Sequence, residues 1–156
     1  MSKVLRNAGG IRFPDKIADD LDANLRLLEG GEWERALNCC NRLTKSTTRE
    51  IERQVAEHIR ETFHGFGPKQ SRNLLQALGL TRYEIPIDSR VTDWLNDFGF
   101  PVRLSSAALA DPNYYDFVSV GIQALCAKCD IFPCVLDAAI FASKDGDGWT
   151  DTNIIY

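Results

Sequence analysis

The chain has little of what marks a membrane, secreted or metal-centred protein. It contains no run of about 18 apolar residues, the length a spanning helix needs, and its N-terminus lacks the apolar stretch of a secretion signal. The expected setting is therefore intracellular: cytoplasm, nucleoid or nucleus. Histidine appears only at His58 and His64, and neither has zinc-finger spacing. The five cysteines are odd in number and include adjacent members, Cys39 and Cys40, unlike a secreted disulfide framework. Cys126, Cys129 and Cys134 lack a nearby fourth cysteine, so free thiols are expected rather than an iron–sulfur cluster. The Asp145-Gly146-Asp147-Gly148 stretch has Thr150 where a calcium loop needs its sixth-position glycine and Tyr156 at the twelfth, so it reads as a turn. No metal or cofactor is predicted.

A basic surplus is also missing. The net charge of −4 argues against a protein that grips nucleic acid mainly through bulk electrostatics. The distribution is uneven, however. Residues 1–41 carry 6 basic and 7 acidic groups, residues 42–90 carry 9 and 6, and residues 91–156 carry 3 and 9. A local phosphate contact through the positive middle fits this better than a long DNA-wrapping groove.

What is present is helical periodicity. The 156 residues, 44% hydrophobic and 26% charged, have the size and make-up of one globular domain spanning 1–156. Ile17, Leu21, Leu25 and Leu28 share a helical face that Gly30-Gly31 should stop; Trp33, Leu37, Cys40 and Leu43 repeat the pattern. Thr47 with Glu50 reads as a capping box ahead of Ile51, Val55 and Ile59. Pro68 suits a first helical position, and Gly79 ends that helix. Asp88 or Ser89 can cap a helix carrying Val91, Trp94, Leu95 and Phe98, which Gly99 ends. Asp111-Pro112 starts another helix, and Pro133 opens a last one through Phe141. Strict two-residue alternation is absent, so an all-α fold without a sheet is expected.

The chemistry concentrates between His64 and Val91, in HGFGPKQSRNLLQALGLTRYEIPIDSRV. Gly65 and Gly67 flank Phe66 in a tight turn, which frees the backbone to bend while Phe66 anchors it. The N–H groups at the following helix N-terminus then point outward, where a phosphate can accept them. Lys69 lies in that helix's first turn. An extended Ile85-Pro86-Ile87 stretch delivers Asp88, nineteen residues after Lys69. On residue types alone, Lys69 also suits a surface phosphate contact and Asp88 a simple helix cap.

The whole stretch resembles the helix-hairpin-helix DNA glycosylase superfamily, which includes endonuclease III and the 8-oxoguanine DNA glycosylases. Those proteins place a lysine just after the hairpin glycines and an aspartate after a Pro-containing extended segment about this far downstream; Lys69 and Asp88 match both. The resemblance is strong from about residue 63 to residue 95, and the helix from Pro133 to Phe141 is similar to the closing helix of some 8-oxoguanine members. It implies a compact helical domain with the helix-hairpin-helix at 51–78. It also implies a bifunctional DNA glycosylase and AP lyase acting on duplex DNA with a damaged base, as a monomer. Departure of the base leaves an oxocarbenium-like sugar that the Asp88 carboxylate stabilises. The Lys69 amine attacks C1′ in its neutral form and leaves a Schiff base, from which β-elimination cuts the strand. An oxidised purine such as 8-oxoguanine is the expected base.

Around this pair, Gly65, Gly67, Gln70, Arg72 and Arg90 are the candidate DNA contacts; Arg72 and Arg90 could instead fix Asp88 or stand solvated. Ser71 is expected to be structural. Asn73, one turn beyond Lys69, and Asp137 and Phe141, one turn apart on the last helix, are the candidates for recognising an extruded base. Trp33 and Trp149 are further stacking candidates, equally suited to a core. Little chain precedes the hairpin to supply a wedge for the gap a flipped base leaves, and Asn41 is a candidate. Two alternatives remain open: a non-catalytic helix-hairpin-helix DNA-binding module, and a glycosylase-derived protein acting on an unusual base in defence against foreign DNA.

Overall fold

Proline, glycine and short polar side chains set the helix ends in the computed structural model, which describes residues 2–45 and 47–145. The helices follow in chain order as α1 (Ser2–Ala8), α2 (Pro14–Leu27), α3 (Trp33–Lys45), α4 (Arg49–Thr62), α5 (Pro68–Ala77), α6 (Ser89–Phe98), α7 (Pro112–Lys128) and α8 (Pro133–Asp145). No strand occurs among the described residues, and the chain is all-α as expected. No helix among them is long and apolar enough to cross a membrane. The turn predicted at 145–148 runs past the last described residue, and Trp149, Thr150 and Tyr156 lie outside them.

Proline occupies the first turn of α2, α5 and α7, where its missing N–H leaves nothing unpaired. Asp111 caps α7 by accepting from the Tyr114 N–H at 2.9 Å, and Gly99, at φ 97°, ends α6. One expected boundary differs. The cap of α4 is Thr48, whose Oγ1 accepts from the Ile51 N–H at 3.2 Å. Thr47 instead donates its hydroxyl to the Leu43 carbonyl at 2.7 Å. The glycine pair stops α2 as expected: Gly31, at φ 105°, leaves the helical conformation within the π-turn Leu28–Glu32 that leads into α3.

Two apolar clusters form the core. Val91 and Leu95 of α6, Tyr115, Val118 and Ile122 of α7, and Leu136 and Ile140 of α8 close around Ile85 and Ile87. Leu43 of α3, Val55, Ala56 and Ile59 of α4, and Leu75 of α5 form the second. The face predicted on α2 does not join them: Ile17, Leu21 and Leu25 are 37%, 39% and 47% exposed. Ala18 is the residue α2 buries, and the helix packs on α1 and the π-turn. Trp33 and Leu37 likewise stay at the surface, so Trp33 is not a core residue.

A polar scaffold crosses between the clusters. Glu52, fully buried in α4, accepts the backbone N–H groups of Arg82, Tyr83 and Glu84 at 2.9, 2.7 and 2.8 Å. One carboxylate thereby satisfies three successive backbone donors in a stretch with no sheet to pair with. The loop that leads to Asp88 starts from this fixed point.

Candidate functional site

α4 and α5 are joined by a short turn in which Gly65 adopts φ 80°, a left-handed conformation that disfavours any residue with a Cβ. Gly67 has an ordinary φ of −87°, and a Cβ there would meet only the end of the exposed Gln70 side chain, Oε1 at 3.0 Å. Phe66 packs partly into the second cluster and meets Phe63 edge-on. A brace invisible to helical periodicity comes from α2. Asn24 donates its side-chain amide to the His64 carbonyl at 2.9 Å and accepts the His64 N–H at 2.8 Å. The Asp20 carboxylate lies beside Gly65, 3.0 Å from where a Cβ would stand. Gln70 is exposed on the same side.

Lys69 is the second residue of α5, and Asp88 is the N-cap of α6. The two helix starts bring Lys69 Nζ to 3.6 Å from Asp88 Oδ2. The lysine side chain is 43% exposed and the aspartate 16%, so the amine can be reached while the carboxylate is held. Asp88 accepts the backbone N–H groups of Arg90 and Val91 at 2.9 and 3.3 Å, and its other oxygen accepts the Arg90 guanidinium at 2.9 and 3.1 Å. Burial opposes the charge of Asp88. The Arg90 and Val91 hydrogen bonds and the positive charges of Arg90 and Lys69 outweigh it, leaving the carboxyl below its ordinary range.

A cleft of about 400 Å³ opens beside the pair, within the size range of small-molecule sites. Lys69, Asn73, Asp88, Arg90, Asp137 and Phe141 line it together, with Pro86, Val91 and Ile140 as apolar wall. All three base-recognition candidates therefore meet the catalytic candidates in one place. Arg90 already lies over the Phe141 ring, 4.5 Å from its centroid, so this face of the ring is covered. Burial pushes the Asp137 carboxyl up, a hydrogen bond from Gln76 pulls it down, the nearby Asp88 charge raises it, and the balance is upward.

Gln76 is the lining residue the sequence reading missed. Its amide donates to Asp137 Oδ2 at 2.8 Å, while its own buried Oε1 has no hydrogen-bond partner. The signal was helical spacing: 69, 73 and 76 lie on one face of α5.

Arg72 corrects an expectation. It was a candidate for phosphate, but its side chain is 0% exposed and faces the interior. It donates to Glu84 at 2.8 Å and pairs with Glu57 at 2.7 Å, and its guanidinium lies 5.0 Å from the centroid of the Tyr115 ring. A guanidinium neutralising two carboxylates in the core cannot also reach DNA. Its alternative role of fixing Asp88 falls to Arg90. Ser71 is fully buried and donates to the Pro68 carbonyl at 3.0 Å, as a structural residue should.

Cys126, Cys129 and Cys134 are free thiols, and no group of three or more His, Cys, Asp or Glu among the described residues could hold a metal ion. In comparisons with known proteins, no family model matches the chain, and neither a curated protein nor a solved structure matches it.

Proposed function

We propose that the chain is a bifunctional DNA glycosylase and AP lyase that removes an oxidised purine, such as 8-oxoguanine, from duplex DNA. The observation that carries this is the pairing of Lys69 Nζ with Asp88 Oδ2 at 3.6 Å on the wall of the 400 Å³ cleft. In this reading α4, the glycine turn and α5 form a helix-hairpin-helix. The backbone N–H groups at the α5 N-terminus take a DNA phosphate, with Gln70 beside them.

The reaction follows from the two side chains. The C1′–N bond to the base breaks, and the leaving base carries away the electron pair and takes a proton from the Lys69 ammonium. Positive charge develops at the sugar, where the ionised and preorganised Asp88 stabilises it. The Lys69 amine so formed gives its electron pair to C1′, and one of its protons passes to the ring oxygen as the C1′–O bond opens, leaving the Schiff base. Loss of a C2′ proton to solvent then breaks the 3′ C–O bond of the strand, with the phosphate as leaving group. The extruded base enters the cleft beside Phe141, with Arg90 still holding Asp88. Asp137 offers a hydrogen-bonding group for its edge.

The test is a panel of duplexes, each carrying one damaged base or an abasic site, assayed for strand cleavage and for borohydride trapping of a protein–DNA adduct. Turnover with trapping through Lys69 is expected. Binding without cleavage or trapping on any duplex would make the chain a DNA-binding module instead.

A further inference from the structure

The stretch that delivers Asp88 has no strand beside it. Ile85 and Ile87 are 1% and 0% exposed, so their backbone groups cannot turn to water, and Pro86 between them has no N–H. No strand occurs among the described residues to pair with them. A single hydroxyl fills the gap. Tyr115 of α7, 1% exposed, accepts the Ile87 N–H at 2.7 Å and donates to the Ile85 carbonyl at 2.8 Å. Ile87 immediately precedes Asp88.

We propose that Tyr115 is a positioning residue for Asp88: its hydroxyl stands in for a neighbouring strand and fixes the backbone from which the carboxylate projects. The inference rests on the glycosylase reading for its consequence in catalysis, though not for its geometry. Three features make the hydroxyl suited to this. It is held at both ends of the 85–87 stretch, so neither residue can shift without breaking a bond. Burial pushes the phenol up, which keeps the O–H proton that the Ile85 carbonyl accepts. The ring itself lies under the Arg72 guanidinium, centroid distance 5.0 Å, and Arg72 lies three residues after Lys69 on α5. Tyr115 therefore ties the aspartate's segment to the lysine's helix. Upstream, the Glu52 carboxylate fixes residues 82–84, and downstream the α6 cap fixes Asp88 itself. The hydroxyl secures the interval between those two anchors.

Tyr115→Phe tests this, since it keeps the ring and its contact with Arg72 and removes the hydroxyl alone. The probes are a duplex with 8-oxoguanine opposite cytosine and a duplex with an abasic site. Single-turnover base excision should fall about 100-fold, the size of loss expected from a misplaced catalytic group. The dissociation constant for the same duplex should be unchanged, as should borohydride trapping on abasic DNA, which needs Lys69 and no base departure. In an Asp88→Asn background the second substitution should cost nothing further, because it acts through Asp88. Wild-type excision in Tyr115→Phe, or full additivity with Asp88→Asn, would overturn the proposal. Amide exchange in the wild-type protein tests the geometry without any variant: the Ile87 N–H should be protected like a core helical amide. Free exchange there would also overturn it. If the wild type neither excises nor traps on either duplex, the glycosylase reading fails, and Ile87 protection alone then decides whether Tyr115 fixes the segment.

Discussion

Replacing Asp88 by asparagine isolates the charge of the carboxylate from its other duties. Asparagine retains an oxygen that can accept the Arg90 and Val91 N–H groups now bonded to Oδ1 at 2.9 and 3.3 Å, so α6 keeps its cap. What disappears is the negative charge beside Lys69 and under the Arg90 guanidinium. A preorganised group of this kind is typically worth roughly 3–4 kcal/mol at a transition state, so base excision should slow by about 10²–10³-fold. Single-turnover excision measures the loss, and circular dichroism with DNA titration checks that fold and binding survive. The pH dependence carries a second signature. Asp88 titrates below its ordinary range in the folded protein. Its stabilising contribution is therefore fully present above the unfolded value of about 3.9 and is lost as pH falls through the lower folded value. Asp88→Asn should remove that contribution, leaving the variant's acid unfolding less steep. Excision at the wild-type rate in Asp88→Asn would refute the electrostatic role, whatever happened to stability.

Lys69→Ala should abolish the borohydride adduct while DNA binding persists, because backbone N–H groups at the α5 N-terminus remain; an undiminished adduct would point to another amine. Arg72→Ala should destabilise the fold although Arg72 does not line the cleft. It strands Glu84, 2% exposed, as an unpaired buried charge, a loss of about 3–5 kcal/mol that thermal melting should register as a drop on the order of 10 °C. Raising salt should weaken DNA binding with a shallow log–log slope, reflecting few phosphate contacts by a chain of net charge −4. A steep slope would mean a longer DNA track than the hairpin provides.

How far the sequence could be read depended on the range of each interaction. Helix ends set by local chemistry were legible: Pro68, Asp111 and Gly99 act within a few residues of themselves. The spacing of Lys69 and Asp88 was legible for a related reason, since each sits at the start of a helix whose start is marked by its own residues. Periodicity assigned a face in part where a helix packs into the core, as in α6, where Val91 and Leu95 are buried while Phe98 of the same predicted face is 59% exposed. It failed for α2, because an apolar stripe states that burial is favourable and not that a partner surface exists. Arg72 was misread because a charged residue near a glycine turn looks exposed until its partners are known. Those partners, Glu57 and Glu84, come from a different helix and from beyond α5. The same limit hid Tyr115, whose two bonds span 28 and 30 residues, and Asn24, which reaches 40 residues to the hairpin. A chain that builds an extended segment without a sheet must find donors and acceptors for it among side chains. Glu52 and Tyr115 are those side chains here, and nothing local in the sequence distinguishes them from any other glutamate on a helix or tyrosine in a core. Pairing the catalytic candidates was thus a local problem, and holding them in place is a long-range one.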